Sequence, residues 1–200
     1  KLDAMRSDFV ANVSHEIRTP VTVIAGFAET LLTLDLDADK RREYLESILE
    51  QSRTMQRLVD DLLTISSLES DTQALDDETV DLASLLQRMV DEARTISAGR
   101  HEISLVLDGP RRVLASAGEL ESAVRNLLTN AIRYTPDGGR IAVDWRVQDA
   151  EGRFSVRDTG IGIAPEHLPR LAERFYRVDR GRSRATGGTG LGLAIVKRIM

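Results

Sequence analysis

Two apolar stripes separated by a short polar turn leave the first third of this chain few ways to fold. The first stripe runs through Phe9, Val13, Ile17, Pro20, Ile24, Phe27, Leu31 and Leu34, at steps of 4, 4, 3, 4, 3, 4 and 3. The second runs through Leu45, Ile48, Ser52, Met55, Val59 and Leu62, and Leu49, Leu58 and Leu63 widen it. Steps alternating between three and four put such side chains on one face of a helix. Thr33–Asp39 is the polar turn between the two helices. Pro20 removes a backbone donor inside the first helix, which predicts a kink or a loosening just upstream. A lone hairpin cannot bury both stripes, so the pattern predicts dimerisation into a four-helix bundle. Packing of the hairpin on the rest of the chain is the alternative.

The pattern changes after residue 70. Residues 1–70 are almost free of glycine, whereas 78–200 hold most of the 14 glycines and mix helical with strand-like periods. The acidic stretch Glu69–Glu78 between them reads as a linker, with its core at 71–77. Beyond it the spacing predicts a helix over 81–98 capped by Asp81 and a strand over 101–107. A turn at Gly109-Pro110 and a strand over 111–115 follow, then a helix over 118–134. Strands over 140–148 and 153–158 are joined by a turn at Glu151-Gly152. A short helix begins near Pro165, and a last helix near Leu191. This order predicts an α+β sandwich rather than a doubly wound parallel sheet.

Composition excludes several classes of function. With 27 basic and 32 acidic residues the formal charge is -5, which gives no electrostatic reason for a nucleic-acid partner. There is no cysteine, hence no disulfide and no thiolate metal site. No run approaches the roughly 20 apolar residues that span a bilayer, so this piece carries no membrane segment. The chain opens and closes in a helical pattern and reads as a cytoplasmic fragment of something longer.

Four short constellations carry chemistry. His15 lies two residues from both Val13 and Ile17 and so faces away from the apolar stripe, with Asn12 and Thr19 on its own side. An exposed imidazole is a nucleophile near neutral pH, and the adjacent Glu16 carboxylate can hold its tautomer or take its proton. His101 and His167 sit in no such cluster and read as ordinary surface histidines. On the helix over 118–134, Asn126, Asn130, Arg133 and Tyr134 share one side, while Leu127, Leu128 and Ile132 face a core. An amide oxygen is a hard ligand suited to Mg²⁺, and Arg133 can neutralise phosphate.

The other two constellations are built on glycine. Asp158-Thr-Gly160-Ile-Gly162 directly follows a strand; its carboxylate can accept the exocyclic amine of adenine, and its glycines let backbone approach a flat base. Gly187-Gly188-Thr189-Gly190-Leu191-Gly192 leads into an apolar helix, where backbone N–H groups can bind phosphate. It is neither a P-loop nor the dinucleotide fingerprint, because no Gly-Lys-Ser/Thr follows and no strand precedes it. The Arg- and Gly-rich loop before it, 177–188, is long enough to act as a lid.

These segments resemble, in order, the H, N, G1 and G2 boxes of sensor histidine kinases, and Glu173-Arg-Phe-Tyr-Arg-Val-Asp179 resembles their F box. The resemblance covers nearly the whole chain. It implies a dimerisation and phosphotransfer hairpin over 1–70, a linker over 71–77, and a Bergerat-type ATP-binding sandwich over 78–200. That sandwich is expected to lack its last part, since the family's domain continues past the G2 helix with a further hairpin. His15 matches the phosphoacceptor, Glu16 the general base, and Thr19, completing HExxT, the position used in dephosphorylating the partner. Asn130 matches the Mg²⁺ ligand with Asn126 beside it, and Asp158 the adenine-binding carboxylate. The expected partners are a second copy of the chain and the receiver domain of a response regulator. The stretch PEHLPRLAERFYRVDRGRSR, with Ala172 where other members often carry Phe, resembles the phosphate-regulon branch. That branch implies a response to phosphate scarcity and a full-length protein anchored in the bacterial inner membrane.

Three other readings fit less well. Gyrase-type ATPases use a Glu four residues before the metal-binding Asn to activate water, and here that position is Asn126. An anti-sigma-type serine kinase leaves the HEIRTP hairpin unexplained. A non-catalytic or phosphatase-only dimeric scaffold has no use for the intact set of His15, Asn130, Asp158 and the G2 glycines.

Overall fold

The structure, a computed structural model, describes residues 2–69, 78–149, 151–178 and 188–200. By packing, the chain divides into two compact units. One comprises Lys1–Ser66 with Arg174–Leu191, the other Ser67–Glu173 with Gly192–Met200. The linker core 71–77, Asp179 and Gly187, together with most of the 177–188 loop, lie outside the described residues.

The first unit is built on a helical hairpin of α1 (Leu2–Thr33) and α2 (Ala38–Glu69). The first stripe is laid down as its spacing predicts. Val13, Ile17, Ile24, Phe27 and Leu31 are partly buried and Pro20 is buried, while Leu34 falls past the helix end and is exposed. α1 continues through Pro20 as helix. Near the turn Phe27 stacks on Tyr44 at 4.9 Å between centroids, and the Asp37 carboxylate caps α2 by accepting the Lys40 N–H at 2.8 Å. The second stripe is split in the single chain. Leu45, Ser52 and Val59 are exposed, whereas Ile48, Gln51, Met55, Leu58, Leu62 and Ile65 turn inward. α2 carries apolar residues around more than half its girth, and the neighbours it meets choose which of them to bury.

The second unit is an α/β sandwich. A mixed sheet has the order β2 (Glu102–Asp108), β4 (Arg140–Gln148), β5 (Glu151–Asp158), with β2 parallel and β5 antiparallel to β4. A separate two-stranded ribbon pairs β1 (Glu78–Asp81) with β3 (Arg112–Ala115). Against them pack α3 (Leu82–Ser97) and α4 (Ala117–Tyr134), and the last helix, α5 (Gly192–Ile199), packs on α4. α3 buries Leu82, Leu85, Leu86, Met89, Val90 and Ala93, one helical face, against Ile103, Ile141, Val143 and Val124. Truncating a side chain as enclosed as Leu86 to Ala costs about 2–5 kcal/mol. The helix predicted near Pro165 is a 3₁₀ turn, Pro165–Arg170.

The hairpin between β4 and β5 does not turn at Glu151-Gly152. Glu151 pairs with Gln148 and Gly152 with Val147, so both belong to β5, and Asp149, just past the end of β4, takes φ 52°. Gly152 is required by the Trp145 indole, which occupies the space a Cβ would need. The same ring covers Gly109, where an added Cβ would stand 2.6 Å from Nε1. The Trp145 Nε1–H donates to the Pro110 carbonyl at 3.0 Å.

Candidate active site

In the first unit His15 projects from α1 with 60% of its side chain exposed, as its position off the apolar stripe requires. Its Nδ1 lies 3.7 Å from a Glu16 carboxylate oxygen, just beyond direct hydrogen bonding. One turn on, the Thr19 hydroxyl donates back to the His15 carbonyl at 3.3 Å. The other Glu16 oxygen faces Arg177, whose Nη1 is also 3.7 Å away and whose side chain is 13% exposed. The Arg177 Nη2 is buried without a hydrogen-bond partner among the described residues. Arg177 lies in the F-box segment, but no periodicity or spacing in the sequence singles it out as a neighbour of Glu16.

That segment is fixed to the G2 glycines and to the hairpin. Phe175 adopts φ 61° and donates its N–H to the Gly190 carbonyl at 2.8 Å. Gly190 has φ 72°, and a Cβ on it would stand 2.9 Å from the Phe175 Cα, so both geometry and space demand glycine. The Phe175 ring tilts against Phe9 at 5.7 Å, and the Arg174 guanidinium lies 5.4 Å from the Phe9 centroid. Thr189 donates its hydroxyl to Asp61 of α2 at 2.6 Å and accepts the Leu191 N–H at 3.3 Å. Gly188 precedes this turn and is partly buried.

In the second unit α4 starts at Ser116, whose hydroxyl accepts the Glu119 N–H, and its inner face buries Val124, Leu128, Ala131 and Ile132, with Leu127 half-buried. The other side carries Asn126, Asn130 and Arg133, all partly buried, and the exposed Tyr134. The Asn126 amide donates to the Ser122 carbonyl at 3.0 Å and turns its oxygen toward Gly192, the first residue of α5. The Asn130 amide has no hydrogen-bond partner among the described residues, so its oxygen is available to a ligand.

The end of α4 meets the loop after β5. The Tyr134 carbonyl accepts the Ile161 N–H at 3.1 Å, and a Cβ on Gly160 would lie 2.5 Å from that carbonyl oxygen. The Gly160 N–H donates to the Asp158 carboxylate at 2.8 Å, and Gly162 takes φ 70°. The asparagine helix, the strand-end carboxylate and the start of α5 are thus assembled in one unit. One histidine departs from its sequence reading: His101 is buried, because Ser97 and the Thr135 carbonyl bond both of its ring nitrogens.

Residues 5–71 match the His Kinase A (phospho-acceptor) domain, and residues 115–200 match the Histidine kinase-, DNA gyrase B-, and HSP90-like ATPase domain. The phosphate regulon sensor protein PhoR of Pseudomonas aeruginosa is 48% identical over 202 residues, covering 100% of this chain and 46% of that protein. The mycobacterial sensor histidine kinase MprB superposes with a TM-score of 0.54 at 31% identity, covering 62% of this chain and 77% of that one. The chain belongs to the sensor histidine kinases. The histidine kinase AdeS of Acinetobacter baumannii has the same fold, with a TM-score of 0.72 and 26% identity over 92% of this chain and 85% of that one. The kinase spans about half the length of the curated relatives it matches. Its ATPase-type domain holds the Asn130 and Asp158 clusters, and its phospho-acceptor domain holds His15. No described helix of the kinase is long and apolar enough to cross a membrane.

Proposed function

We propose that this kinase moves the γ-phosphoryl group of ATP onto His15, and from there to an aspartate on the receiver domain of a response regulator. The observation that carries the reading is the posture of His15, an exposed ring with Nδ1 turned toward the Glu16 carboxylate. Glu16 can hold the Nδ1 proton and draw it off as the ring attacks, which leaves Nε2 as the nucleophile. The N–P bond forms while the bond from Pγ to the bridging oxygen breaks, and ADP leaves with that electron pair. Such a transfer is mostly positioning and charge neutralisation.

Asp158 accepts the adenine amine, and Gly160 and Gly162 let backbone approach the base. Tyr134 and Arg133 flank the nucleotide. Gly188, Thr189, Gly190, Leu191 and Gly192 are the residues whose backbone N–H groups we assign to the phosphates. The partly buried Asn130 amide, without a hydrogen-bond partner among the described residues, fits Mg²⁺, with Asn126 beside it; the ion would supply charge neutralisation at the phosphates. The functional division we propose is a phosphotransfer hairpin over 1–70, a linker over 71–77 and a catalytic domain over 78–200, with Pro20 and the linker as hinges.

The active species is a homodimer, supported by the exposed Leu45, Leu49, Val59 and Leu63 of α2, apolar surface suited to a second copy. Thr19, one turn after His15, supports a phosphatase activity on the regulator. The likeness to PhoR supports a role in phosphate-starvation signalling and a full-length protein anchored in the inner membrane. The test is phosphate incorporation from Mg-ATP into the chain beside its His15→Ala variant. Acid-labile, base-stable label in the first and none in the second is expected. Label in both removes His15 as the acceptor.

A further inference from the structure

We propose that His101 is a positioning residue of the nucleotide-base site, acting through the peptide that closes α4; this rests on Asp158 being the base-binding carboxylate. His101 is 8% exposed and touches neither Asp158 nor Asn130 by hydrogen bond. Its Nε2 lies 2.8 Å from the Thr135 carbonyl oxygen. A carbonyl only accepts, so Nε2 carries the proton. In the neutral ring Nδ1 is then an acceptor, and it takes the Ser97 hydroxyl proton at 3.0 Å. The Ser97 oxygen in turn accepts the His101 backbone N–H at 3.1 Å. Ser97 is 1% exposed, so the set is closed and shielded from water.

Thr135 is the residue after α4, and its carbonyl lies beyond the helical ladder, where a partner must come from elsewhere. His101 is that partner. The preceding carbonyl, of Tyr134, is the one that receives the Ile161 N–H and leaves room only for glycine at 160. Gly160 holds the Asp158 carboxylate. The connection therefore runs from the His101 ring through the peptides of Thr135 and Tyr134 to the loop that carries Asp158. Two flanking ties stiffen it. Gly138 N–H donates to the Arg100 carbonyl at 2.7 Å, and Glu102 N–H donates to the Gly139 carbonyl at 3.0 Å. Thr159 and Arg140 exchange two bonds, N–H to carbonyl at 3.0 Å and N–H to hydroxyl at 2.9 Å. The 135–139 turn is thereby pinned between the residue that holds it and the strand end that uses it.

A carboxylate selects adenine because adenine presents an amine where guanine presents a carbonyl. If His101 sets the height of the Asp158 loop, losing it weakens ATP binding and blurs the choice of ATP over GTP. Transfer at His15 from bound ATP is left alone.

The experiment uses the full chain and follows KM for Mg-ATP, kcat for His15 phosphorylation, and competition by GTP. The variants are His101→Leu, His101→Gln, Asp158→Ala and the core substitution Val90→Ala. His101→Leu is expected to raise KM about tenfold, the equivalent of roughly one buried hydrogen bond, and to narrow the ATP/GTP ratio, with kcat within about twofold. The Gln amide can place a donor where Nε2 stands, so His101→Gln should return most of the affinity. Val90→Ala lowers Tm but should leave KM in place. If His101→Leu fails to fold, Ser97→Ala removes the support of the ring and should shift KM in the same direction. An unchanged KM in His101→Leu or Ser97→Ala, with Asp158→Ala impaired, overturns the proposal. So does a Val90→Ala variant that loses ATP affinity equally at the same loss of Tm. Asp158→Ala binding ATP with wild-type affinity and selectivity sinks the base-site reading itself, and the proposal with it.

Discussion

The Asn126 side chain and Gly192 are packed so closely that a Cβ on the glycine would stand 3.1 Å from the Asn126 Cγ and would overlap its amide oxygen. Asn126 cannot swing aside freely, because its Nδ2 is bonded to the Ser122 carbonyl. Gly192→Ala should therefore cost that bond, about 1 kcal/mol, and displace an amide of the proposed nucleotide site. The expected result is a several-fold loss of ATP affinity in a protein whose far-UV circular dichroism is unchanged.

Trp145 acts as a cap on the end of the sandwich, seated over Gly109 and Gly152 and bonded to the Pro110 carbonyl. Trp145→Phe keeps most of the apolar cover and loses the N–H, so it should lower stability by about 1 kcal/mol in urea unfolding. Gly152→Ala meets the indole directly and should cost more, about 1–3 kcal/mol, since overpacking forces ring or strand to shift.

Asp81 caps α3. The Ser84 N–H first, and then the Ser84 hydroxyl, hold its carboxyl below the usual carboxylate value, with Arg112 and Arg111 adding to the effect. The folded form thus binds a proton less readily than the unfolded chain. The stability this contributes is complete above the ordinary value of 3.8 and is lost as pH falls through the lower, folded value. Thermal melts of the protein and of Asp81→Ala should differ near neutral pH and converge as pH drops below 3.8. A difference that persists unchanged in acid would remove the carboxylate as its cause.

Among the described residues the Thr19 hydroxyl bonds only to the His15 carbonyl on its own helix, a contact the backbone does not need. Thr19→Ala should leave autophosphorylation within about twofold, because a surface change of this kind costs under about 0.5 kcal/mol. It should slow the loss of phosphate from the phosphorylated receiver domain. Normal dephosphorylation by this variant would take the phosphatase role away from Thr19.

Much of the molecule was legible from spacing. The first stripe, the helix cap at Asp81, the strand ends around Asp158 and the asparagine side of α4 all follow from periods of two and 3.6 and from local capping chemistry, which act within a few residues. The boxes could be placed in order because each is a short, contiguous run. What the tertiary structure decided involves partners far apart in sequence. α2 has apolar residues on several sides, and only its neighbours select Leu58 and Ile65 for burial while leaving Leu45 and Val59 exposed. Arg177 reaches Glu16 across more than half the chain, and Thr189 reaches Asp61 in the same way. His101 looked like any surface histidine because the Thr135 carbonyl that it bonds meets it only when the end of α4 packs beside the start of β2, although its other partner, Ser97, is a near neighbour. A contact between residues far apart in the chain leaves no period in the sequence, so packing alone sets Arg177 beside Glu16, Thr189 beside Asp61 and His101 beside the Thr135 carbonyl.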